Sequence, residues 1–209
     1  MFNGQLAALV ATVSTCILAL GLAILMTRGY MHRRDRSKLF WSLGLWVFAL
    51  TVFLELLFAL NVYSGLLINS YLFLVALLVE LLALGSIQLV KSRLLVNSYY
   101  VLAILGAVLT AYSLLASNVG NLITGYVVGG LPPSLVIYAS SLATFPAAIV
   151  IIGVAAVGFK RTRKIKLLSI IAGVIVVSVA GTLYIGSFPS LLYYSEFLGI
   201  LLLWAGFRG

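Results

Sequence analysis

The sequence predicts an all-α membrane protein, a polytopic bundle of seven transmembrane helices. Two observations predict this class. Of the 209 residues, 64% are hydrophobic and only 8% are charged, whereas soluble domains average about 25% charged residues. The apolar residues also fall into seven segments, each close to the length of about 20 residues that crosses a bilayer. We therefore expect a single transmembrane domain over residues 1–209.

The seven predicted spans follow the apolar segments in chain order. They cover about residues 5–26, 39–60, 70–90, 98–116, 134–159, 167–185 and 190–207. The loops between them are short, so we expect consecutive spans to pack side by side and mostly antiparallel.

The basic residues predict the orientation. All 13 Lys and Arg residues lie in the loops after spans one, three and five and in the tail after span seven. The alternate loops, residues 61–69, 117–133 and 186–189, contain none. Because basic loops face the cytoplasm, the N-terminus is predicted outside and the C-terminus inside, in a multi-pass cell membrane protein of prokaryotic type.

The same loops predict the partners. The two largest basic groups should contact anionic lipid headgroups at the cytoplasmic face. Their members are Arg33, Arg34, Arg36, Lys160, Arg161, Arg163 and Lys164. The net charge of +9 is confined to short loops between apolar segments, so no nucleic-acid partner is predicted. A homo-oligomer or a partner membrane protein remains open.

The loop pattern also indicates an internal repeat. Spans one to three and five to seven each run as span, basic loop, span, neutral turn, span, and the third span of each triplet holds one glutamate, Glu80 or Glu196. Two such triplets joined by one span would form a parallel 3+1+3 repeat, as in some small-solute transporters. The alternative is coincidence among short apolar segments, since the two halves share few identical residues.

Three glutamates lie inside predicted spans. At about 1.5 Å per residue, Glu80 lies about 16 Å from Lys91 and Glu196 about 18 Å from Arg208, near the midplane of a hydrocarbon core about 30 Å thick. Glu55 lies about 25 Å from Lys38, toward the outer leaflet. No basic side chain occurs within a span to neutralise them. They are therefore either protonated structural groups, a proton or cation pathway, or anchors for a ligand.

Pro146 interrupts the fifth span. Proline removes one backbone hydrogen bond and kinks a helix, and broken helices often line binding sites in transporters. We interpret Pro146 as a kink, which serves either gating or static packing.

Several classes of chemistry lack their residues. The single histidine, His32, and the single cysteine, Cys16, provide no metal site and no paired haem ligands. No aspartate lies in a span, and no nucleophile or phosphate-loop motif is present. The sequence predicts no enzyme, no cofactor and no metal.

Residues 33–90 resemble a group of small seven-span membrane proteins of bacteria and archaea. The shared features are the basic loop, Trp41 early in span two, Glu55 late in it, and Tyr71 opening span three. The resemblance covers about a quarter of the chain and implies topology but no activity.

Two functions follow as expectations. The first is a small transporter or channel for a proton, a cation or a small solute, with Glu80 and Glu196 along its path and Glu55 near its outer mouth. The second is a non-transporting subunit or sensor that binds a partner membrane protein or lipid.

Overall fold

The computed structural model describes the backbone of residues 2–120, 122–124, 127–128, 130–185 and 189–207. Their side chains are described too, except at residues 2–5, 7–8, 124, 127–128, 166, 177–185, 189–193 and 207. Most of the predicted neutral turn 186–189, the basic residue Arg208 and the side chain of Lys166 lie outside the described residues.

Within this description the chain is an all-helical bundle with one small hairpin. The helices are α1 (Phe2–Arg33), α2 (Arg36–Ala59), α3 (Gly65–Ile87), α4 (Arg93–Ala116), α5 (Ser134–Thr162), α6 (Ile165–Ile185) and α7 (Pro189–Phe207). The strands are β1 (Ile123–Thr124) and β2 (Val127–Val128). One helix overlaps each of the seven predicted spans.

Five helices are long and apolar enough to cross a membrane. They are Leu9–Arg33 of α1 and the whole of α2, α3, α4 and α5. In α6 and α7 the described apolar stretches are shorter, Leu167–Val176 and Tyr194–Gly206. By length and composition this is a membrane-type helical bundle.

Helix contacts arrange six of the helices in a ring. Consecutive helices pack together from α1 to α3 and from α5 to α7, α3 packs against α5, and α1 packs against α7. Helix α4 packs against α3 and α5, outside the ring. The loops that join α1 to α2, α3 to α4 and α5 to α6 lie at one end, here called the basic face. The loops from α2 to α3 and from α4 to α5 lie at the opposite end, the neutral face.

One close helix contact in the ring joins α2 to α3. A side chain on Gly85 would overlap the indole of Trp41, so the indole can lie against α3 only because Gly85 has no Cβ. The hydroxyl of Ser37 donates to the carbonyl oxygen of Gly85 at 2.7 Å. Small residues permit such close helix approach in membranes, and the interhelical hydrogen bond fixes the register of the two helices.

Two of the basic-face turns share one geometry. Arg34 and Arg163 both follow a long helix with a left-handed backbone, at φ 50° and 54°. Each donates its backbone N–H to the carbonyl four residues earlier, at 2.7 Å. In the first turn, Asp35 then caps α2 by accepting from the backbone N–H of Ser37 at 3.0 Å, as helix N-caps commonly do.

At the neutral face, the loop between α4 and α5 contains an antiparallel hairpin. Ile123 pairs with Val128 and Thr124 with Val127, and β2 packs against α2 and α7. Leu122, just before β1, is buried in a cluster with Leu54 and Phe58 of α2. The hairpin therefore covers the bundle where α2 ends and α7 begins.

Candidate functional site

Two carboxyl groups meet inside the bundle near the neutral face. Glu55 lies four residues before the end of α2, and Glu196 lies seven residues after the start of α7. Their side chains are within hydrogen-bonding reach of each other. Both are buried, with 1% and 8% of their surface exposed. At 1.5 Å per residue, the pair lies about 6–10 Å below the helix ends.

Tyr71 of α3 completes the cluster. Its hydroxyl donates to Glu55 Oε1 at 2.7 Å, entirely within the buried interior. The tyrosine ring is held in turn by Phe58, whose ring meets it edge-on with centroids 5.6 Å apart. We call Glu55, Tyr71 and Glu196 the carboxyl cluster. It joins three helices, one of them from the opposite end of the chain.

The chemistry of this contact requires a proton. Two carboxylates at hydrogen-bonding distance repel strongly in a medium of low dielectric constant, and both lack a basic partner among the described residues. Glu55 Oε2 also meets no donor in the described part of the chain. A proton on one carboxyl group converts the repulsion into a strong O–H···O⁻ hydrogen bond. The cluster can therefore hold, receive and release a proton.

Glu80 lies in a separate buried position. Its Oε1 contacts Gly106 of α4, where a Cβ would overlap it. The same Cβ position is 3.0 Å from Ala143 Cβ of α5, so α3, α4 and α5 meet closely here. Glu80 Oε1 and the hydroxyl of Thr110, one turn along α4 from Gly106, are both buried and have no hydrogen-bond partner among the described residues. Glu80 is therefore a further buried carboxyl group, separate from the carboxyl cluster.

Pro146 lies inside α5, which continues as one α-helix from Ser134 to Thr162. Thr144 donates its hydroxyl to the carbonyl of Ser140 at 2.9 Å, so a polar side chain supports the helix just before the proline. Pro146 separates the part of α5 that packs near Glu80 from the part that faces the basic end. Whether it acts in gating stays a prediction.

Two described cavities flank this interior. One, of about 410 Å³, opens at the neutral face between the starts of α3 and the end of α4 and is lined by Ser64, Asn69 and Asn118 among others. The other, of about 900 Å³, opens at the basic face; we call it the basic-face crevice. None of the three buried glutamates lines either cavity, so the carboxyl cluster is closed off from both.

The structure thus regroups the residues singled out in the sequence. Glu196 lies with Glu55 rather than with Glu80, and the two paired carboxyl groups share one depth. The seven basic residues expected to meet lipid headgroups, at positions 33, 34, 36, 160, 161, 163 and 164, are all exposed at the basic face. Of these, only Arg161 lines the basic-face crevice.

Tyr71 was not predicted as a member of the site, although a sequence signal for it exists. Tyr71 lies eight positions after Tyr63, which is in the turn between α2 and α3, and Glu55 lies eight positions before it. In an antiparallel helix pair, residues equally distant from the connecting turn lie side by side.

By length and composition, the five long apolar helices indicate a helical membrane protein, and comparison with known proteins adds no closer relationship. No family model matches the chain, and no curated protein and no solved structure matches it either. Its function is therefore argued from the carboxyl cluster and its surroundings.

Proposed function

We propose that this protein is a small proton transporter in which Glu55 and Glu196 form the proton-binding site. The observation that carries the proposal is their contact inside the bundle, away from any basic side chain described. Carboxyl groups within membrane spans are costly and characteristically mark proton relays and ion pathways. A pair that holds one proton changes its net charge when the proton leaves, and the resulting repulsion can drive two helices apart.

The surroundings of the pair support an occluded state of such a transporter. The hairpin and the cluster around Phe58 cover the pair on the neutral face. Toward the basic face, buried apolar side chains of the main core, including Val52 and Ile200, fill the interior. Neither of the two described cavities reaches the pair, which fits proton exchange by a conformational change rather than through an open channel.

The alternative function is a non-transporting subunit or sensor that binds a partner membrane protein or lipid. The burial of the carboxyl cluster favours it, because a protonated Glu that is hydrogen-bonded to Tyr71 can serve simply to join helices. In that case the cluster would stabilise the fold and carry no flux.

Proton flux in proteoliposomes separates the two functions. Under an imposed pH gradient, the internal pH of vesicles that contain wild-type protein should change faster than that of empty liposomes. A Glu55→Gln/Glu196→Gln variant keeps the size and hydrogen-bonding capacity of both side chains but cannot release the proton, so its flux should fall to the background. Equal flux from both proteins, or none from either at matched reconstitution, would reject the transporter and favour the subunit.

Glu80→Gln serves as the matched control. It removes the third buried carboxyl group while leaving the Glu55–Glu196 contact intact. Retained flux confines the pathway to the carboxyl cluster, whereas lost flux extends it to Glu80, as the sequence pattern predicts.

We also propose seven spans, an outer N-terminus, a cytoplasmic C-terminus and the 3+1+3 repeat. The basic residues described in the structure support the orientation because they lie at one end of the bundle. Two parallels between the triplets support the repeat. The first is the shared geometry of the turns at Arg34 and Arg163. The second is a serine that joins the second and third helices of each triplet: Ser169 donates to the carbonyl of Leu202 at 2.6 Å, as Ser37 does to that of Gly85.

Cysteine labelling tests the topology. Single cysteines at positions 61 and 161, in a Cys16→Ala background, should react with an impermeant thiol reagent from opposite sides of the membrane. Reaction from the same side would reject this topology.

A further inference from the structure

The basic-face crevice lies between two sides of the helix ring. Its walls come from α2 and the end of α3 on one side and from α5 and α6 on the other. We propose that it binds one anionic phospholipid from the surrounding leaflet, with the phosphate at Lys38, Lys91 and Arg161 and one acyl chain along α5. This inference does not depend on the proposed proton site, because no residue of the carboxyl cluster lines the crevice.

The depth of the crevice fits an acyl chain. Its lining follows α5 from Val150 to Arg161, which is about 16 Å at 1.5 Å per residue. That is about half of a hydrocarbon core 30 Å thick, or one leaflet. Eight of the twelve positions from Val150 to Arg161 line the crevice, so it follows a wide side of α5 over about three turns. Two of the eight, Gly153 and Gly158, have no side chain to fill it.

The walls are apolar while the mouth is charged. Trp41, Ile151 and Ile170 line the interior and are largely buried. At the rim, Leu89 and Val157 are 63% and 54% exposed, so apolar surface continues from the crevice to the outside. A soluble anion would satisfy only the charged mouth and would leave this apolar surface uncovered. A phospholipid covers both.

The charges at the mouth select the headgroup. Lys38, Lys91 and Arg161 line the crevice together with a single described acid, Asp35. The carboxylate of Asp35 is already engaged at the N-terminus of α2, where it accepts the backbone N–H of Ser37. The mouth therefore has a net charge of plus two. Each basic residue near an anionic surface favours binding about fivefold, which predicts about a 25-fold preference for an anionic over a zwitterionic headgroup.

Trp41 provides the readout because it lines the crevice. The chain has three tryptophans, so a Trp46→Phe/Trp204→Phe variant leaves Trp41 as the only fluorophore of its kind. This parent is reconstituted into phosphatidylcholine vesicles that contain small fractions of brominated phosphatidylglycerol or brominated phosphatidylcholine. Brominated phosphatidylglycerol should quench Trp41 at about 25-fold lower mole fraction. Equal quenching by the two lipids would overturn the proposal.

Removing the charges at the mouth should abolish the preference. In a Lys38→Gln/Lys91→Gln/Arg161→Gln variant, the two brominated lipids should quench alike. The control variant Arg36→Gln/Arg93→Gln/Lys160→Gln removes one charge from each of the same three loops, at exposed positions that do not line the crevice. It should retain the preference; an equal loss in the control would mean that surface charge alone attracts the lipid, and the site would be rejected.

A second variant tests the acyl-chain part of the site without changing charge. A Cβ built on Gly153 meets no protein atom within 4 Å, so Gly153→Leu should fold normally and fill the crevice. It should reduce quenching by brominated phosphatidylglycerol to the level of brominated phosphatidylcholine. Gly65→Leu, also in open space but at the neutral face, should change nothing. Unchanged quenching in Gly153→Leu would overturn the proposal.

Inorganic phosphate distinguishes a lipid from a soluble anion. Added to the parent vesicles at constant ionic strength, it should leave quenching by brominated phosphatidylglycerol unchanged. Displacement of the lipid by phosphate would show that the mouth alone binds, which contradicts a site for a whole phospholipid.

Discussion

Replacing Tyr71 with phenylalanine isolates the hydrogen bond that holds the carboxyl cluster. The substitution removes only the hydroxyl that donates to Glu55 Oε1 at 2.7 Å and keeps the ring against Phe58. A hydrogen bond to a charged group contributes about 1.5–3 kcal/mol, and the buried carboxyl group also loses a donor. We therefore expect Tyr71→Phe to lower the free energy of unfolding by about 2 kcal/mol.

Tyr100→Phe is a closely matched control. The Tyr100 ring also meets a phenylalanine edge-on, Phe40 at 5.8 Å, but its hydroxyl accepts a neutral hydrogen bond from Gln88 at 3.0 Å. Neutral bonds contribute about 0.5–1.5 kcal/mol. Unfolding in mixed micelles by titration with a denaturing detergent, followed by circular dichroism, measures both losses. If Tyr71→Phe costs no more than Tyr100→Phe, Tyr71 does not bind a charged or proton-sharing carboxyl group, and the reasoning about the cluster fails.

Two further substitutions test the second buried carboxyl group and can be followed in the same unfolding assay. Gly106→Ala should destabilise the protein by about 1–3 kcal/mol, because its Cβ would overlap Glu80 Oε1; the double variant Glu80→Ala/Gly106→Ala should regain at least half of that loss, and no recovery would place the clash elsewhere. Thr110→Val should be neutral or stabilising, since it replaces a buried hydroxyl that has no hydrogen-bond partner among the described residues. Thr51→Val, whose buried hydroxyl donates to a backbone carbonyl at 2.7 Å, should not stabilise, and a gain equal to that of Thr110→Val would contradict the assignment.

Hydrophobic segmentation predicted the helices because backbone groups in a bilayer must be paired within each span. It placed helix ends less well. The first span was predicted to end near residue 26, whereas α1 continues to Arg33. Long basic side chains can extend toward headgroups and water while the helix continues, so a drop in hydropathy precedes the helix end. The actual end is set by the left-handed backbone at Arg34.

Contacts between α2 and α3 could also be predicted from the sequence, once the turn was recognised. Glu55 and Tyr71 lie eight positions on either side of Tyr63, and Trp41 and Gly85 lie 22 positions on either side. Both pairs are in contact. The regularity follows from two straight antiparallel helices that share one rise per residue, so a short turn fixes all contacts along the pair.

The contact between Glu55 and Glu196 could not be predicted in this way. The two residues are 141 positions apart on helices that are not consecutive, and their distances from flanking basic residues suggested different depths. Those distances did not predict the depths of the two glutamates correctly, because Lys38 already lies in the first turn of α2 and α7 is five residues shorter than α2. Only the closing of the ring, with α7 packed on α1, brings the two carboxyl groups together.

The close packing of Trp41 against Gly85 has a mechanical consequence. Because the indole packs against Gly85 and Ser37 donates a hydrogen bond to its carbonyl, we expect α2 and α3 to move as one rigid pair. Ser169 and the close approach of Gly173 to Gly199 couple α6 and α7 into another. We therefore expect a motion that separates Glu55 from Glu196 to move the α2–α3 pair relative to the α6–α7 pair. Because α2, α3 and α6 also line the crevice, the same motion should change its width, which would couple the two ends of the bundle.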